Sequence, residues 1–504
     1  MALDFLINYH AKYRPNHTAL IFDNKKYSWQ EFAKLVNTAS NALLANGIKK
    51  NDKVAMVLPN TLELITLYWA VSSIGAVIVP LSPLLQAKGL VNLLKNSDSV
   101  MVFLLNESYK NLQKHKVKLP KIKKYIVCDA ENVKNSFQNF TKNQSAGKPL
   151  TTTIYDDDLF NIIFSSGTTG KPKGIEHSHQ VRTNYCLCFA HALRMRPESV
   201  VLHSGSIVFN GAFVDMMPAF YLGATYVLLA NFNAETVINI IKKHQVTHTI
   251  MVPTQIIALL QSPNATLKNL NSIEMIMNIG APLSEQYKKE LAKLLPNRFY
   301  ELYGLTEGFV TILDKNYASK KIKSVGSPPL GFEMKIVDNE GKEKSPGEIG
   351  EIVGKGPIVM NGYYKNPQLT KDTLKNGWIY TGDLGFVDED GFLYLAGREK
   401  DMIISGGVNV YPTDIEEIIN NHSDVLESAV IGIESLKWGE VPIAYVVLKN
   451  NKKVDKEKLL TWVNERVDAK YQRLANLVFL AEFPRNVAGK ILKNKLSEIY
   501  DANK

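Results

Sequence analysis

The sequence predicts an α/β protein. A large N-terminal domain, built from two doubly wound αβ subdomains and a β-rich subdomain, precedes a small, mobile α+β C-terminal domain. Short apolar strands alternate with amphipathic helices over residues 19–302, which is typical of parallel sheets covered by helices on both faces. From about residue 323 short strands and turns replace that alternation, and a smaller α+β pattern begins after residue 398. A chain of 504 residues also exceeds the usual size of one domain.

The elements of the N-terminal part follow from hydrophobic periodicity. Apolar residues over 19–22 and 26–28 predict a hairpin, and an amphipathic pattern over 29–45 predicts a helix. An apolar run over 159–164 predicts a buried strand, and a helix is expected over 177–193.

The β-rich part carries two turn signals, at residues 337–341 and 387–391, where Asp, Asn and Gly cluster between apolar runs. These changes of pattern predict the domain boundaries. We expect an N-terminal domain over 1–397, a hinge over 398–400 and a mobile C-terminal domain over 401–504.

The composition favours a soluble cytoplasmic protein that does not bind nucleic acid. The formal net charge of +10 comes from lysines spread along the chain, and few aromatic residues interrupt their densest cluster, over residues 110–124. Three cysteines cannot build a disulfide framework, and no Cys/His set has zinc spacing. We expect no signal peptide and no integral membrane segment, because no apolar run has the required length.

A loop rich in glycine and hydroxyl groups, residues 165–173, follows the strand predicted over 159–164; we call it the phosphate loop. Glycines let backbone N–H groups curl around an anion, so phosphate is the expected ligand. The two residues between Gly167 and Gly170 differ from the Walker spacing of four. A mobile surface loop is the alternative at this point. The candidate phosphate contacts are Ser165, Ser166, Gly167, Thr168, Thr169, Gly170, Lys171 and Lys173.

Four further motifs follow the phosphate loop: Tyr-Glu-Leu-Tyr-Gly-Leu-Thr-Glu at 300–307, Tyr-Thr-Gly-Asp at 380–383, Gly-Arg-Glu-Lys-Asp at 397–401, and Pro-Arg-Asn-Val-Ala-Gly-Lys at 484–490. In this order they make the chain resemble the adenylate-forming, AMP-binding enzymes. That superfamily includes acyl-CoA synthetases of the fatty-acid and 4-coumarate-CoA ligase kind, adenylation domains of peptide synthetases, and firefly luciferase. The resemblance extends over residues 19–493.

The resemblance implies ATP, Mg²⁺ and coenzyme A as ligands. It implies a carboxylic acid that is first activated as acyl-AMP, with release of pyrophosphate, and then transferred to a thiol, with release of AMP. Lys490 would bridge the carboxylate and the α-phosphate, and Thr168 and Glu307 would be catalytic groups in contact with Mg²⁺. The remaining ATP contacts that it implies are Gly280, Ala281, Pro282, Tyr303, Gly304, Thr306, Asp383 and Arg398.

The chemistry of three of these residues is consistent with their implied roles, although each also has an ordinary explanation. Tyr303 offers a flat face to adenine but could be a core tyrosine. Asp383 accepts hydrogen bonds only, which suits two ribose hydroxyls, but it could close a turn. Lys490, judged without its motif, would be a surface lysine.

Domain rotation is also implied, because the two half-reactions need different surroundings. Lys400 would be the hinge. Gly406 and Gly407 would line the channel for the thin pantetheine chain of coenzyme A, and their alternative is a plain turn.

The predicted acyl pocket favours an apolar acid, either fatty or aryl. Many relatives carry Pro-Leu-Phe-His where this chain has 205–208, and the histidine is missing here. Ile279 replaces a frequent glycine and is expected to narrow one side. Asp215 leaves an amino acid open as a less favoured substrate. The residues expected to line the pocket are Ile207, Val208, Phe209, Phe309 and Val310.

Two rival functions stay open on the sequence alone. One is an acyl-AMP ligase that loads a separate carrier protein. The other is a nucleotide-binding protein of the same fold without catalysis. A homodimer is equally open.

Overall fold

The α/β architecture predicted from the sequence is present in the computed structural model of the chain, which describes residues 2–115, 118–130, 133–165, 172–436, 438–449, 452–486 and 489–502. The helices are α1 (Leu6–Tyr13), α2 (Trp29–Ala45), α3 (Leu62–Ser73), α4 (Ala87–Asn96), α5 (Asn106–Gln113), α6 (Phe137–Thr141), α7 (His179–Ala192), α8 (Phe213–Leu222), α9 (Ala234–His244), α10 (Pro253–Leu260), α11 (Glu285–Leu294), α12 (Pro367–Thr373), α13 (Pro412–Asn420), α14 (Lys456–Asn464) and α15 (Lys493–Ala502).

The strands of the N-terminal part are β1 (Thr18–Phe22), β2 (Lys25–Ser28), β3 (Lys53–Val57), β4 (Val77–Leu81), β5 (Ser99–Leu104), β6 (Lys124–Val127), β7 (Leu159–Ser165), β8 (Lys173–Ser178), β9 (Val200–His203), β10 (Thr225–Leu228), β11 (His248–Met251), β12 (Met275–Ile279), β13 (Phe299–Gly304) and β14 (Val310–Leu313). Those that follow are β15 (Glu333–Val337), β16 (Gly350–Lys355), β17 (Gly362–Tyr363), β18 (Leu374–Lys375), β19 (Trp378–Val387), β20 (Leu393–Arg398), β21 (Ile403–Ser405), β22 (Val408–Val410), β23 (Val425–Ser435), β24 (Gly439–Leu448) and β25 (Asn476–Phe479).

Two large sheets dominate the described residues. One has eight strands in the order β14-β13-β12-β11-β9-β10-β1-β2, and the other has seven in the order β17-β8-β7-β4-β3-β5-β6. Their central pairs are parallel, whereas outer pairs such as β1–β2 and β13–β14 are antiparallel. The carboxyl ends of parallel strands therefore gather at one edge of each sheet, where ligands usually bind.

The main hydrophobic core lies between these two sheets. Helices α2, α3, α7 and α8 contribute fully buried aromatic residues to it, among them Trp29, Trp69, Phe189 and Phe220. Separate apolar clusters cover the outer face of the eight-stranded sheet with α9, α10 and α11, and that of the seven-stranded sheet with α4 and α5. Both sheets thus carry helices on two faces, as predicted.

Helix α2 shows how the local sequence sets an element boundary. The Ser28 hydroxyl accepts a hydrogen bond from the Glu31 N–H at 3.2 Å, and the Glu31 carboxylate accepts one from the Ser28 N–H at 2.8 Å. This reciprocal capping box satisfies two donors that the first turn leaves unpaired. The helix starts at Trp29 and ends at Ala45, so the prediction over 29–45 is confirmed.

The segment after the phosphate loop differs from the prediction. Residues 173–178 form strand β8, which pairs antiparallel with β7, and helix α7 begins only at His179. The phosphate loop therefore connects a hairpin. The side chains along β8 explain the difference, because Ile175 is fully buried and Gly174 lies against the Ile162 side chain of β7.

The β-rich part forms a mostly antiparallel sheet in the order β15-β16-β19-β18, with β20 paired to β19. The turn predicted at 387–391 connects β19 and β20, as expected for a hairpin. The turn predicted at 337–341 also closes a short hairpin, because Val337 and Glu343 form an antiparallel bridge and the Asp338 N–H donates to the Lys342 carbonyl at 2.9 Å. Strand β16 starts further along, at Gly350.

A separate sheet begins after the short 3₁₀ turn Glu399–Asp401. Its order is β22-β21-β24-β23, with β25 beside β24, and α13 and α14 pack on it around Ile415, Val463 and Leu477. The chain thus changes sheet between Arg398 and Ile403, where the sequence predicts the hinge. Nowhere in the described ranges does a helix combine the length and the apolar character that crossing a membrane requires.

Candidate active site

The ends of the phosphate loop are held by two strands. Ser165 and Lys173 are register partners at the ends of β7 and β8. The Lys173 ammonium lies 5.4 Å from the centroid of the Tyr363 ring. The predicted contacts that lie outside the described residues are Ser166, Gly167, Thr168, Thr169, Gly170 and Lys171.

Three predicted ATP contacts meet in one cluster, which we call the Asp383 cluster: Tyr303, Asp383 and Arg398. The Tyr303 hydroxyl donates to Asp383 Oδ2 at 2.8 Å, and Arg398 Nε lies 3.0 Å from Asp383 Oδ1. Asp383 is only 6% exposed. Because each carboxylate oxygen has two lone pairs, both retain an acceptor site after these bonds. The cluster can therefore accept hydrogen bonds from two neighbouring hydroxyls.

A tight turn fixes the position of Asp383. The Asp383 N–H donates to the Thr381 hydroxyl at 3.0 Å, and that hydroxyl donates to the Ile352 carbonyl at 2.7 Å. Gly382 has φ of +68°, which a residue with a Cβ adopts less readily, and its N–H donates to Glu351 at 2.9 Å. The alternative of a simple Asx turn does not describe Asp383, because its carboxylate bonds Tyr303 and Arg398 instead of the turn.

Lys490 is the catalytic candidate that the C-terminal domain brings to this cluster. It is an exposed residue, and its ammonium group is partly desolvated. This desolvation, followed by the charge of Arg398, lowers the pKa of Lys490 to about 8, while Asp383 and Asp401 act in the opposite direction. A lysine of the C-terminal domain and an aspartate of the β-rich sheet thus act on one another across the predicted hinge.

The segment around Lys490 is held by a polar anchor. Asn486 Oδ1 accepts from the Lys490 N–H at 2.9 Å, and Arg485 donates to the Gly489 carbonyl at 2.9 Å. Arg485 also forms an ion pair with Glu427 of β23. The residues on both sides of 487–488 are therefore bonded to one another and, through Arg485, to the C-terminal sheet.

Glu307 is placed where it can hold a cation. The Tyr363 hydroxyl donates to Glu307 Oε1 at 2.7 Å, and among the described residues nothing donates to Oε2. The Lys173 ammonium lies over the ring of the same tyrosine, so Glu307 and Lys173 both contact Tyr363. A carboxylate oxygen without a donor has the chemistry that Mg²⁺ prefers.

The loop formed by Gly280, Ala281 and Pro282 is exposed at the carboxyl end of β12. Asn278 holds it by donating to the Ala281 carbonyl at 2.8 Å and to Glu301 at 3.0 Å. Gly304 is likewise exposed at the end of β13, next to this loop. The predicted adenine-side contacts therefore sit at neighbouring strand ends.

Residues 207–209, which are predicted to line the acyl pocket and which we call the acyl wall, are largely buried. Ile207 and Val208 are 0% and 3% exposed, and Phe209 is half-buried. Tyr68 donates to the Ile207 carbonyl at 2.8 Å and Asn60 accepts from its N–H at 3.0 Å. These bonds fix the backbone of the acyl wall, and the side chains of the wall are apolar.

The predicted acyl pocket has little space on the side opposite the acyl wall. A Cβ placed on Gly211 would lie 3.4 Å from the end of the Ile279 side chain, and one on Gly304 would lie 2.7 Å from Val310. The Ile279 side chain therefore lies close to Gly211, just before α8. This position is in line with the expected narrowing of one side of the pocket. Val310 lies directly beneath Gly304.

Phe309 differs from its predicted role. A Cβ on Gly354 of β16 would lie 2.1 Å from the Phe309 ring, so this ring packs against the β-rich sheet. Successive residues of an extended segment point to opposite faces, and Val310 occupies the Gly304 face. Phe309 is a core residue at the seam between subdomains.

Gly406 and Gly407 form the turn between β21 and β22, with φ values of +62° and +81°. Both are exposed, and a Cβ on Gly406 would lie 2.8 Å from the Trp438 ring. This conformation favours the Gly pair by itself. In the described part of the chain, no recorded contact connects the turn with the Asp383 cluster.

Asp215 is buried in the core. It is 0% exposed and lies 3.0 Å from His203 Nδ1. Desolvation raises the pKa of Asp215, with the charge of His203 opposing that effect. Oδ2 is therefore engaged by His203, whereas the buried Oδ1 has no hydrogen-bond partner among the described residues.

Sequence reasoning did not find Arg182 of α7, which is 0% exposed. It donates to Asn161 at 2.7 Å and to Asn210, beside the acyl wall, at 2.9 Å. The sequence signal that could have indicated a buried arginine was its position in α7, where Val, Tyr, Cys and Phe residues surround it along the chain.

Comparison with known proteins defines the class of protein to which the chain belongs. A family model described as AMP-binding enzyme matches residues 7–364, and one described as AMP-binding enzyme C-terminal domain matches residues 414–490. The chain therefore belongs to the AMP-binding enzyme family, and the resemblance inferred from the motifs is confirmed. It is accordingly an AMP-forming acid–thiol ligase of the acyl-CoA ligase group, with ATP-dependent acyl-adenylate formation.

The individual relatives are CoA ligases of several kinds. The chain is 30% identical to a long-chain-fatty-acid–CoA ligase of Bacillus subtilis (strain 168), over 96% of this chain and 92% of that protein. It is 32% identical to a 2-succinylbenzoate–CoA ligase of Bacillus pumilus (strain SAFR-032), over 96% and 95%.

Solved structures support the same fold. ATP-bound MatB from Rhodopseudomonas palustris matches with a TM-score of 0.91 and 28% identity over 99% of both chains. MenE from Bacillus subtilis in complex with the acyl-adenylate intermediate OSB-AMP matches with a TM-score of 0.87 and 28% identity over 97% of both chains.

Proposed function

We propose that this protein is an acyl-CoA synthetase that activates a carboxylic acid with an apolar body as acyl-AMP and transfers the acyl group to coenzyme A. One observation carries the proposal: Tyr303 and Arg398 hold the buried Asp383 carboxylate, and the charges of Asp383 and Arg398 act on Lys490 of the C-terminal domain. A protein that only binds nucleotide needs the Asp383 cluster but has no use for a second cation delivered by a separate domain.

In the first half-reaction, a substrate carboxylate oxygen attacks the α-phosphorus of ATP. The bond from that phosphorus to the bridging oxygen breaks, and pyrophosphate leaves with the electron pair. Negative charge gathers on the phosphate oxygens, so positioned cations are the main catalytic device. Lys490 supplies this charge, while Asp383 accepts the ribose hydroxyls and Tyr303 contacts adenine.

Glu307, with Thr168 of the phosphate loop, would hold Mg²⁺. The ion neutralises charge on the leaving pyrophosphate when it is bound. The protein's own contribution is to keep Glu307 oriented through Tyr363, which donates a hydrogen bond to one carboxylate oxygen.

In the second half-reaction, the thiol sulfur of coenzyme A attacks the acyl carbon, the bond from that carbon to the phosphate oxygen breaks, and AMP leaves. The thiol proton passes to solvent. Lys490 has no role in this step, so the C-terminal domain rotates about Lys400. The exposed Gly406–Gly407 turn then lines the thiol channel.

Pyrophosphate release from ATP, measured against a panel of carboxylic acids, tests the proposal. We expect acid-dependent release, and acyl-CoA formation only when coenzyme A is added. Release without any acid dependence would contradict the proposal. Acyl transfer to a carrier protein, with no transfer to coenzyme A, would instead support the carrier-loading ligase.

The pH dependence of adenylation is expected to report Lys490. The cation is the active form and its pKa is lowered to about 8, so kcat/KM for ATP should fall as pH rises through about 8. Because kcat/KM reports ionisation of the free enzyme, the fall approaches tenfold per pH unit. Lys490→Arg should retain its residual activity to higher pH. A wild-type profile that stays flat to pH 10 would remove the cation from the mechanism.

Proline at the hinge is expected to separate the half-reactions. Lys400→Pro fixes φ near −65° and should impair thioester formation by tenfold or more while acyl-AMP formation changes little. Stopped-flow pyrophosphate release and acyl-CoA formation measure the two steps. Lys400→Ala is the control because it removes the side chain without restricting the backbone. Equal loss of both steps in Lys400→Pro would place the hinge elsewhere.

A further inference from the structure

Arg182 occupies an unusual place in the core. Its guanidinium lies between two aromatic rings, 4.0 Å from the centroid of Phe213 and 4.5 Å from that of Tyr185. Nε donates to Asn161, and Nη2 donates to Asn210 at 2.9 Å and to His177 Nδ1 at 3.1 Å. Nη1 is buried and has no hydrogen-bond partner among the residues that the structure describes.

No carboxylate of the described residues pairs with this guanidinium. The nearest anion of the adjoining helix α8, Asp215, is paired with His203 instead. Burial lowers the pKa of Arg182 to about 10, so the group is a cation at neutral pH. A buried charge without a counterion is costly, and arginine is seldom fully buried unless it is paired. The two N–H donors of Nη1 therefore have no acceptor among the described residues.

The surroundings of Arg182 connect it to the acyl wall. Asn210, which holds Nη2, directly follows Phe209 and is half-buried. Asn210 also donates to the Tyr185 hydroxyl at 3.0 Å. His177, which accepts from Nη2, donates through Nε2 to the Thr306 carbonyl at 2.9 Å. Burial keeps the pKa of His177 well below its usual value, so this imidazole is neutral and adds no charge.

Arg182 is also distinct from the site of adenylation. The charged groups that act most strongly on Lys490 are Arg398, Asp383, Asp401 and Lys400. The chain therefore places one cation at the reacting carboxylate and a second one behind the acyl wall.

We propose that Arg182 binds a second carboxylate at the far end of the acid, so that the substrate is a dicarboxylic acid with an apolar body. The two rings and the bonds to Asn161, Asn210 and His177 hold the guanidinium and leave Nη1 without an acceptor among the described residues, and the ligand carboxylate would supply that acceptor and complete a buried ion pair. This inference rests on the proposed function. It revises the expectation of an apolar acid, which was drawn from the missing histidine and from the apolar residues Ile207, Val208 and Phe209.

Acid pairs of equal length test the inference directly. Propionate and malonate, butyrate and succinate, and hexanoate and adipate have the same number of carbon atoms, and within each pair a carboxylate replaces the terminal methyl group. We expect kcat/KM for pyrophosphate release by the wild-type enzyme to favour the dicarboxylate in at least one pair by about tenfold to hundredfold, the range of a hydrogen bond to a charged group. A preference for the monocarboxylate in every pair and in longer homologues would overturn the proposal.

The variant Arg182→Met removes the charge and keeps the length of the side chain. It should raise KM for the favoured dicarboxylate by about tenfold or more, change kcat less, and leave ATP binding intact. Arg194→Met is the matched control, because Arg194 follows the same helix but pairs with Asp314 at the surface. An unchanged acid preference in folded Arg182→Met would show that the arginine only packs.

Two readouts keep the outcomes distinct. If Arg182→Met does not fold, Asn210→Leu removes only the partner of Nη2 and should reduce the same preference; an unchanged preference there counts against the proposal. If no acid supports pyrophosphate release, the proposed function itself fails. Turnover of acids with no advantage for any dicarboxylate defeats only the role of Arg182.

Discussion

Replacement of Lys490 by alanine should lower the rate of acyl-AMP formation by about 10² to 10³-fold, the loss typical of removing one positioned charge from a transition state. ATP binding should persist, because the Asp383 cluster does not include the Lys490 side chain. Thioester formation from supplied acyl-AMP and coenzyme A should remain near the wild-type rate, since the second step does not use this ammonium. Rapid-quench assays of each half-reaction measure the split.

The control for this variant is Lys495→Ala. Lys495 lies a few residues further along, on α15, and pairs with Glu498 at the surface. It should keep both half-reactions. Acyl-AMP formation at the wild-type rate by Lys490→Ala would mean that the lysine near Asp383 is not catalytic.

Replacement of Asp383 by alanine should raise KM for ATP by about a hundredfold or more, because two hydrogen bonds from the ribose to a charged acceptor are lost. The change also leaves Arg398 without its carboxylate partner and Tyr303 without its acceptor. Equilibrium binding of ATP and the kinetics of pyrophosphate release should both report the loss. Activity with supplied acyl-AMP should fall as well, because the adenylate carries the same ribose.

Two controls separate recognition from folding in the Asp383 experiment. Asp390→Ala removes an exposed carboxylate from the adjoining β19–β20 turn, where it pairs with Lys321, and should leave KM unchanged. Tyr303→Phe keeps the ring for adenine and removes only the bond to Asp383, so its effect should be smaller. If Asp383→Ala folds and binds ATP with wild-type affinity, Asp383 does not contact the ribose.

The sequence predicted those parts of the fold that local chemistry decides. The helix over 29–45 has a periodic apolar face and a capping box at Ser28, and both signals lie within a few residues of the boundary. The motifs around Tyr303, Asp383 and Arg398 also identified residues that meet in space, because each motif ends or turns a strand. Local signals of this kind survive in a single sequence.

Contacts between distant segments could not be read in the same way. Strand β8 exists because Gly174 and Ile175 pack on β7, and a six-residue segment next to a helix gives little periodicity of its own. Phe309 has the apolar character of a pocket residue, but the space over Gly354, 45 positions further along, decides where its ring goes. Arg182 has partners in three separate segments, at Asn161, His177 and Asn210.

In the proposed first half-reaction, a substrate carboxylate attacks the α-phosphorus of ATP. An acid labelled with ¹⁸O in both carboxylate oxygens, supplied with ATP and coenzyme A, tests it in one measurement. The attacking oxygen remains on phosphorus when the thiol cleaves the acyl bond, so mass spectrometry should find one ¹⁸O in AMP and none in pyrophosphate. Unlabelled AMP, or label in inorganic phosphate beside ADP, would contradict the claim.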